Sequence, residues 1–332
     1  MKIDIEERVL HFRQPATTSR GTYTERRIWL VKASDGAAVG TGECAPLPDL
    51  SCDALPPHLY YKVLRDFCNQ VELSGAIPYE ALRSYPSMLF GLETALTSLA
   101  SPKENKRGAI PINGLVWMGS YDEMMQRMEE KLAAGFRCIK LKVGAIDFDR
   151  ELDLVKHIRE RFGPREVELR LDANGGFDPD QALYRLELLS QYAIHSIEQP
   201  IKARQWALMA ELCREAPLPI ALDEELIGVN EPEQKRQLLR IVKPAYIVLK
   251  PSLHGGMAGC REWVSIAREE GVGSWLTSAL ESNIGLYAIA QLCLELYGPN
   301  ITMPQGLGTG QLFTDNIPMP RLRMDHSTLL VG

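Results

Sequence analysis

Six charged residues interrupt the apolar runs of this sequence in an ordered way: Lys140, Lys142, Asp172, Glu198, Asp223 and Lys250. Lys142 and each of the later four close a short hydrophobic segment. Successive segments lie roughly 25 to 30 residues apart, about one strand–helix unit. Brought together in a partly dry cavity, the three carboxylates repel one another and take up protons unless a cation compensates them. An all-oxygen donor set suits a hard divalent ion, so Asp172, Glu198 and Asp223 are expected to bind Mg²⁺, with Mn²⁺ the alternative. Lys140 and Lys142, two residues apart on a strand, face the same way. Lys250 is expected on the opposite wall. A buried ammonium beside another cation loses its proton readily and can then act as a general base. A divalent ion between two opposed amines has a natural use. It acidifies the hydrogen next to a substrate carboxylate, and a lysine removes that hydrogen.

Those six residues converge only if the segments carrying them share one end of a single sheet. Apolar runs at Ile110–Leu115, Cys138–Val143, Val167–Leu171, Ala193–Ile197, Ile220–Leu222, Tyr246–Leu249 and Ser274–Leu276 alternate with amphipathic stretches such as Tyr121–Ala134, Asp149–Arg161, Pro179–Gln191 and Met257–Glu270. Such alternation predicts parallel strands joined by helical crossovers. With an eighth strand near Ile301–Met303 it gives an α/β fold, a (β/α)7β TIM-like barrel. A doubly wound open sheet is the structural alternative. The first hundred residues differ. Ile28–Val31 and Val39–Glu43 flank the turn Ser34-Asp35-Gly36, and helical patterning follows at 57–69 and 86–100, an α+β unit. The polar segment Ser101–Gly108 marks the boundary. The division is therefore 1–104 for the α+β domain, 105–310 for the barrel and 311–332 for a segment returning to pack on the first domain.

The 332 residues carry a net charge of −6, which disfavours non-specific nucleic-acid binding. The N-terminus lacks the layout of a signal peptide, and no apolar run approaches the roughly 20 residues that span a bilayer. The seven cysteines are scattered without a CxxC pair, predicting neither a disulfide framework nor a zinc site, but reduced thiols in a cytoplasmic protein. The glycines of Gly306–Gly310 do not open a helix after a strand, so they read as a flexible segment at the barrel mouth and not as a phosphate loop. His254 reads as a loop histidine capping the next helix. Trp117 fits equally as core or as a wall of the pocket.

The motifs Gly42-Glu43-Cys44-Ala45-Pro46-Leu47-Pro48, Lys140-Leu141-Lys142, Asp172-Ala173-Asn174, Glu198-Gln199-Pro200, Leu222-Asp223-Glu224 and Leu249-Lys250-Pro251 occur in that order. Together they resemble the enolase superfamily, muconate-lactonizing subgroup, over nearly the whole chain. The resemblance implies Lys142 as the base, Lys140 as its support and Lys250 on the other face of the substrate, with Asp172, Glu198 and Asp223 as metal ligands. It implies Asn174 and Glu224 as partners of those groups. The stretch Thr277–Asn283 would be the loop that touches substrate, with Ser278, Glu281 and Ser282 its contacts. The N-terminal unit would cap the barrel mouth, and its segment Thr17–Tyr23 would close over the site with Arg20 near a free carboxylate of the substrate.

Within the subgroup the segments Glu43–Pro48, Asn113–Trp117 and Gly306–Gly310 are most similar to the branch that dehydrates a succinyl-substituted hydroxycyclohexadiene carboxylate to an aromatic acid in menaquinone biosynthesis. The rival within the fold is 1,1-proton transfer, as in racemases of N-succinyl amino acids and epimerases of dipeptides. The region Met303–Gly310 lacks the Asp-x-Asp that holds a dipeptide amino group, which counts against a cationic dipeptide. A non-catalytic binding barrel is the reading of another class, and the intact set of lysines and acids stands against it. The expected partner is a small carboxylate substrate, with neither nucleic acid nor membrane.

Overall fold

The computed structural model describes residues 1–18, 21–100 and 105–332. The chain opens with an antiparallel sheet of β1 (Lys2–Thr18), β2 (Gly21–Ser34) and β3 (Val39–Cys44). The expected turn joins β2 to β3, and Asp35 Oδ1 accepts from the backbone N–H of Ala37 and Ala38 at 2.9 Å each. Strand β1 is not legible in the sequence, because charged residues such as Glu6, Glu7, Arg8 and Arg13 break its apolar pattern along an exposed edge. Helices α1 (Pro57–Ser74), α2 (Tyr79–Leu82) and α3 (Pro86–Ala100) follow. Helix α3 lies against β3 at backbone contact: a Cβ on Gly42 would fall 1.9 Å from the carbonyl oxygen of Gly91. Glycine in that strand is the condition for the close approach.

After β4 (Gly108–Pro111), seven parallel strands hydrogen-bond in chain order: β5 (Gly114–Val116), β6 (Cys138–Lys142), β7 (Glu168–Asp172), β8 (Ser196–Glu198), β9 (Ile220–Leu222), β10 (Tyr246–Leu249) and β11 (Gly273–Leu276). Between them run α4 (Tyr121–Ala133), α5 (Phe148–Arg161), α6 (Pro179–Ser190), α7 (Trp206–Glu215), α8 (Pro232–Val242) and α9 (Gly256–Glu269), and α10 (Asn283–Tyr297) follows β11. The ring closes at Gln305–Gly306, which bridge Ile112 on one side and Thr277 on the other. The eighth position is therefore Gln305–Gly306 and not the expected Ile301–Met303. Pro304 lacks an N–H, so the ladder forms only beyond it. Gly306 is accordingly fixed in this closure, and Gly308–Gln311 form a 3₁₀ turn instead of a flexible run. The expected first barrel strand at 110–115 is divided: β4 pairs with the C-terminal hairpin, and only β5 joins the barrel.

Alternation sorts each barrel strand. Ile139, Leu141, Leu169, Leu171, Ile197, Leu222, Ile247 and Leu249 face outward into the main core, together with Leu154, Leu186, Leu238 and Trp263 from the helices. The inward set is polar at the mouth. Deeper inside, Arg170 donates to the carbonyl oxygen of Pro304 at 2.9 Å and lies over the Trp275 ring at 4.5 Å.

A further apolar cluster joins the two units, with Leu10, Ile28, Leu30 and Leu47 meeting Ile227, Leu253 and Leu280. The final residues divide. Leu312 and Thr314 hydrogen-bond with β1 through Arg13 and His11, while β12 (Leu322–Asp325) and β13 (Thr328–Val331) form a hairpin on β4. Among the described residues no helix is long and apolar enough to cross a membrane.

Candidate active site

Lys142, Asp172 and Glu198 stand side by side in register at the C-terminal ends of β6, β7 and β8. Asp223 follows β9 and Lys250 follows β10. Around a ring of seven strands and one closing segment, β6 and β10 are half a turn apart. The two lysines therefore face each other across the mouth, and the three acids line the arc between them. Lys142 Nζ donates to Asp172 Oδ2 at 2.9 Å and to Asn174 Oδ1 at 2.5 Å. Lys140 Nζ stands between Asp172 (2.9 Å) and Glu198 (2.7 Å), and Lys250 Nζ pairs with Asp223 Oδ2. Asn174 Nδ2 donates to Glu224 Oε1 at 2.9 Å, which ties the hydrogen-bond partner of Lys142 to the next acid along the rim.

The charges divide the lysines by role. Burial lowers the pKa of Lys142, and the Lys140 charge lowers it further against the pull of Asp172. Lys140 is raised: burial works against its charge, but Asp172, Glu198 and Asp223 together outweigh it. Lys250 is raised in the same way by Asp223 and Glu224, despite burial. Burial alone would raise Asp172 and Asp223, yet the lysines hold both carboxyls below the ordinary range. Glu198 is pushed up, first by burial and then by Asp172. The result is one amine poised to lose a proton and two held charged.

Among the described residues, no three His, Cys, Asp or Glu side chains surround one point at metal-ligand spacing. In that space the Lys140 ammonium bridges Asp172 and Glu198, and that of Lys250 pairs with Asp223. The donor chemistry nonetheless fits a hard divalent cation. Glu198 Oε1 and Asp223 Oδ1 are buried with no hydrogen-bond partner, and buried carboxylate oxygens need one.

Asp172 and the three lysines open on a cavity of about 210 Å³, whose apolar walls include Leu47 and Leu50 from the N-terminal unit, Trp117 after β5, and Leu280. Trp117 is thus a wall of the pocket, with the Lys142 ammonium 5.6 Å from its ring centroid. Ser278 also lines the cavity. Glu281 and Ser282 do not face it: both are fully buried behind the wall. Glu281 accepts from Ser252 Oγ and Ser278 Oγ at 2.5 and 2.6 Å, and Ser282 Oγ donates to Glu43 at 2.5 Å. Arg20 lies outside the described residues.

His254 is no helix cap. It is buried, its Nδ1 accepts from the Lys250 N–H at 2.9 Å, and burial holds its pKa down to about 3. Sequence reading did not single out Gln199 for a role. Its Oε1 accepts from the Asp223 and Glu225 N–H groups, fixing the turn that presents Asp223. A glutamine directly after a strand-end acid was the available signal.

A closed parallel barrel with opposed lysines flanking acids at the strand ends defines a class. Residues 123–331 match the family described as Enolase C-terminal domain-like, and the chain belongs to that family. It is 43% identical to an o-succinylbenzoate synthase of Desulfotalea psychrophila, over 96% of each chain. The crystal structure of MenC from Desulfotalea psychrophila LSv54 covers the whole of this chain and 99% of its own, with 40% identity and a TM-score of 0.81. At 18% identity, a dipeptide epimerase of Enterococcus faecalis complexed with Mg and L-Leu-L-Tyr shares the fold, with a TM-score of 0.81 over 100% and 96% of the two chains.

Proposed function

We propose that the protein catalyses the o-succinylbenzoate synthase reaction, a carbon–oxygen lyase step of menaquinone biosynthesis that dehydrates 2-succinyl-6-hydroxy-2,4-cyclohexadiene-1-carboxylate. The observation that carries the reading is the arc itself: Lys142 and Lys250 half a ring apart, with Asp172, Glu198 and Asp223 between them. The 43% identity to a synthase over nearly the full length selects this reaction from those the arc allows. Asp172, Glu198 and Asp223 would hold a divalent cation, Mg²⁺ or Mn²⁺, which when bound draws electron density from the substrate carboxylate and acidifies the adjacent carbon.

Lys142 Nζ, its pKa lowered by burial, takes the proton from that carbon. The C–H electron pair becomes ring π-density, and the hydroxyl on the neighbouring carbon leaves on the same face. It departs as water with the proton carried by Lys142, which returns the base to its starting state. Lys250 stays charged and meets the forming aromatic ring from the other side. Lys140 keeps Asp172 ionised and hydrogen-bonds Glu198 in place, and Asn174 aims the Lys142 amine. Leu47, Leu50, Trp117 and Leu280 exclude water around the ring. The seven free thiols suit a reducing, cytoplasmic setting.

The test is the ultraviolet progress curve for o-succinylbenzoate formation with Mg²⁺, with EDTA and with Lys142→Ala. The expected result is metal-dependent turnover that falls about 10³-fold or more on removal of the lysine. No turnover by the intact, metal-loaded protein would sink the synthase reading. The opposed position of Lys250 favours 1,1-proton transfer as the second reading. In D₂O, wash-in of deuterium at the α-carbon of N-succinyl amino acids or dipeptides would identify it.

A further inference from the structure

The mechanism above leaves Arg26 without a task, although it is a buried cation only 2% exposed. It sits on β2 of the N-terminal unit, and its guanidinium donates to main-chain carbonyl oxygens of both units. On its own side these are Ala45 and Pro46. Across the interface they are Leu280 at 3.2 Å and Ala279 at 3.3 Å. An Arg fork that serves four carbonyls at once fixes their relative positions, since the five donors are held in one plane.

The segments it joins are two walls of the pocket. Ala45-Pro46 lead directly to Leu47 and Leu50, while Ala279 and Leu280 line the cavity from the barrel side. Leu280 itself has φ +67°, a left-handed conformation that a leucine keeps only when its surroundings impose it. Arg26 Nε holds its carbonyl, and Ser278 Oγ accepts from its N–H at 3.0 Å. The same segment is fastened behind by Glu281, which accepts from the Ala279 N–H at 2.7 Å, and by Glu43, which accepts from the Ser282 N–H at 2.9 Å. These two carboxylates also offset the buried charge of Arg26.

We propose that Arg26 is a positioning residue that sets the width of the pocket between the capping segment Ala45–Leu50 and the barrel segment Ser278–Leu280, and so the fit of the carboxylate substrate. This rests on the reading of the cavity as the site of proton abstraction. Arg26 hydrogen-bonds to neither the lysines nor the acids of the arc, so a change there loosens the walls and leaves the reacting groups in place.

The experiment measures kcat and KM for Arg26→Met and Arg26→Lys in the ultraviolet assay, with the thermal midpoint alongside. A misplaced wall is expected to raise KM about tenfold in Arg26→Met while kcat stays within about threefold. Arg26→Lys, which keeps the charge and some of the hydrogen bonds, is expected to recover part of the loss. A merely structural role would lower the active fraction, so that kcat and the thermal midpoint fall while KM holds; that result overturns the proposal. If Arg26→Met does not fold, Arg26→Lys carries the same test: a raised KM supports the proposal and an unchanged KM overturns it. Silence of the unaltered protein is a different failure, because it removes the synthase reading itself.

Discussion

Lys142 has its reach from β6, but its aim comes from Asn174, whose Oδ1 accepts from the ammonium at 2.5 Å while its Nδ2 is held by Glu224. Asn174 also sits at φ +45°, a left-handed conformation that asparagine tolerates better than residues without a short polar side chain. Both features belong to one residue, so one change removes both. Asn174→Ala is expected to lower kcat about 10- to 100-fold with KM little altered. The strained φ adds a loss of stability of about 1 kcal/mol. Steady-state kinetics and a thermal melt on the same preparation check the pair. An unchanged kcat would show that Lys142 is aimed by its strand alone. His254, held neutral by burial, accepts from the Lys250 backbone N–H and so supports Lys250 from behind.

Helices α9 and α10 share an arrangement that their own sequences do not supply. Each begins at the interface, and a buried carboxylate from the N-terminal unit covers its first N–H groups. Glu93 of α3 accepts from Met257 and Ala258 at 2.6 and 2.9 Å, and Glu43 of β3 accepts from Ser282 and Gly285 at 2.9 Å each. Burial pushes both carboxyls up to about 7, against those donors. Arg261 and Glu295 are the charges near Glu93, one lowering and one raising it.

The sign follows from linkage. Between the ordinary carboxyl value of 4.5 and about 7 the folded protein holds protons that the unfolded chain releases. Stability from these groups is fully present below 4.5 and is lost as pH rises through about 7. Urea midpoints should therefore fall between pH 5.5 and 8, and Glu93→Gln should flatten that slope. A slope of the same size in the variant would remove Glu93 as a cause.

At the scale of the molecule, the two units are expected to unfold together. The apolar cluster of Leu10, Ile28, Leu30 and Leu47 against Ile227, Leu253 and Leu280 crosses their boundary, as do Arg26, Glu43 and Glu93. Separating the units would strand these polar groups along with the apolar surface, and so couples the two equilibria. Trp29 reports the N-terminal unit, and Trp263 and Trp275 report the barrel. Urea unfolding followed by tryptophan fluorescence and by far-ultraviolet circular dichroism should give one superimposable transition. A Trp29→Phe variant with a shifted fluorescence midpoint but an unshifted dichroism midpoint would show that the units part first.

The barrel and the arc of its site can be read from the residues alone, because both are written in local periods. Inward and outward residues alternate along each strand, strand–helix units repeat, and a charge ends each of the runs from Cys138–Val143 to Tyr246–Leu249. Lys142, Asp172, Glu198, Asp223 and Lys250 were legible for that reason. The rest emerges only on folding, where the outcome depends on contacts between distant segments. Arg26 meets Leu280 from 254 residues away, and Glu43 meets Ser282 from 239. Nothing in the short polar segment Ser278–Ser282 says which side chains face the pocket and which support its wall. That is settled by burial against Glu43 and Ser252, which turns Glu281 and Ser282 inward and leaves Ser278 and Leu280 at the cavity. The closing edge at Gln305–Gly306 was hidden likewise, since a two-residue bridge carries no period and owes its place to the gap between β5 and β11.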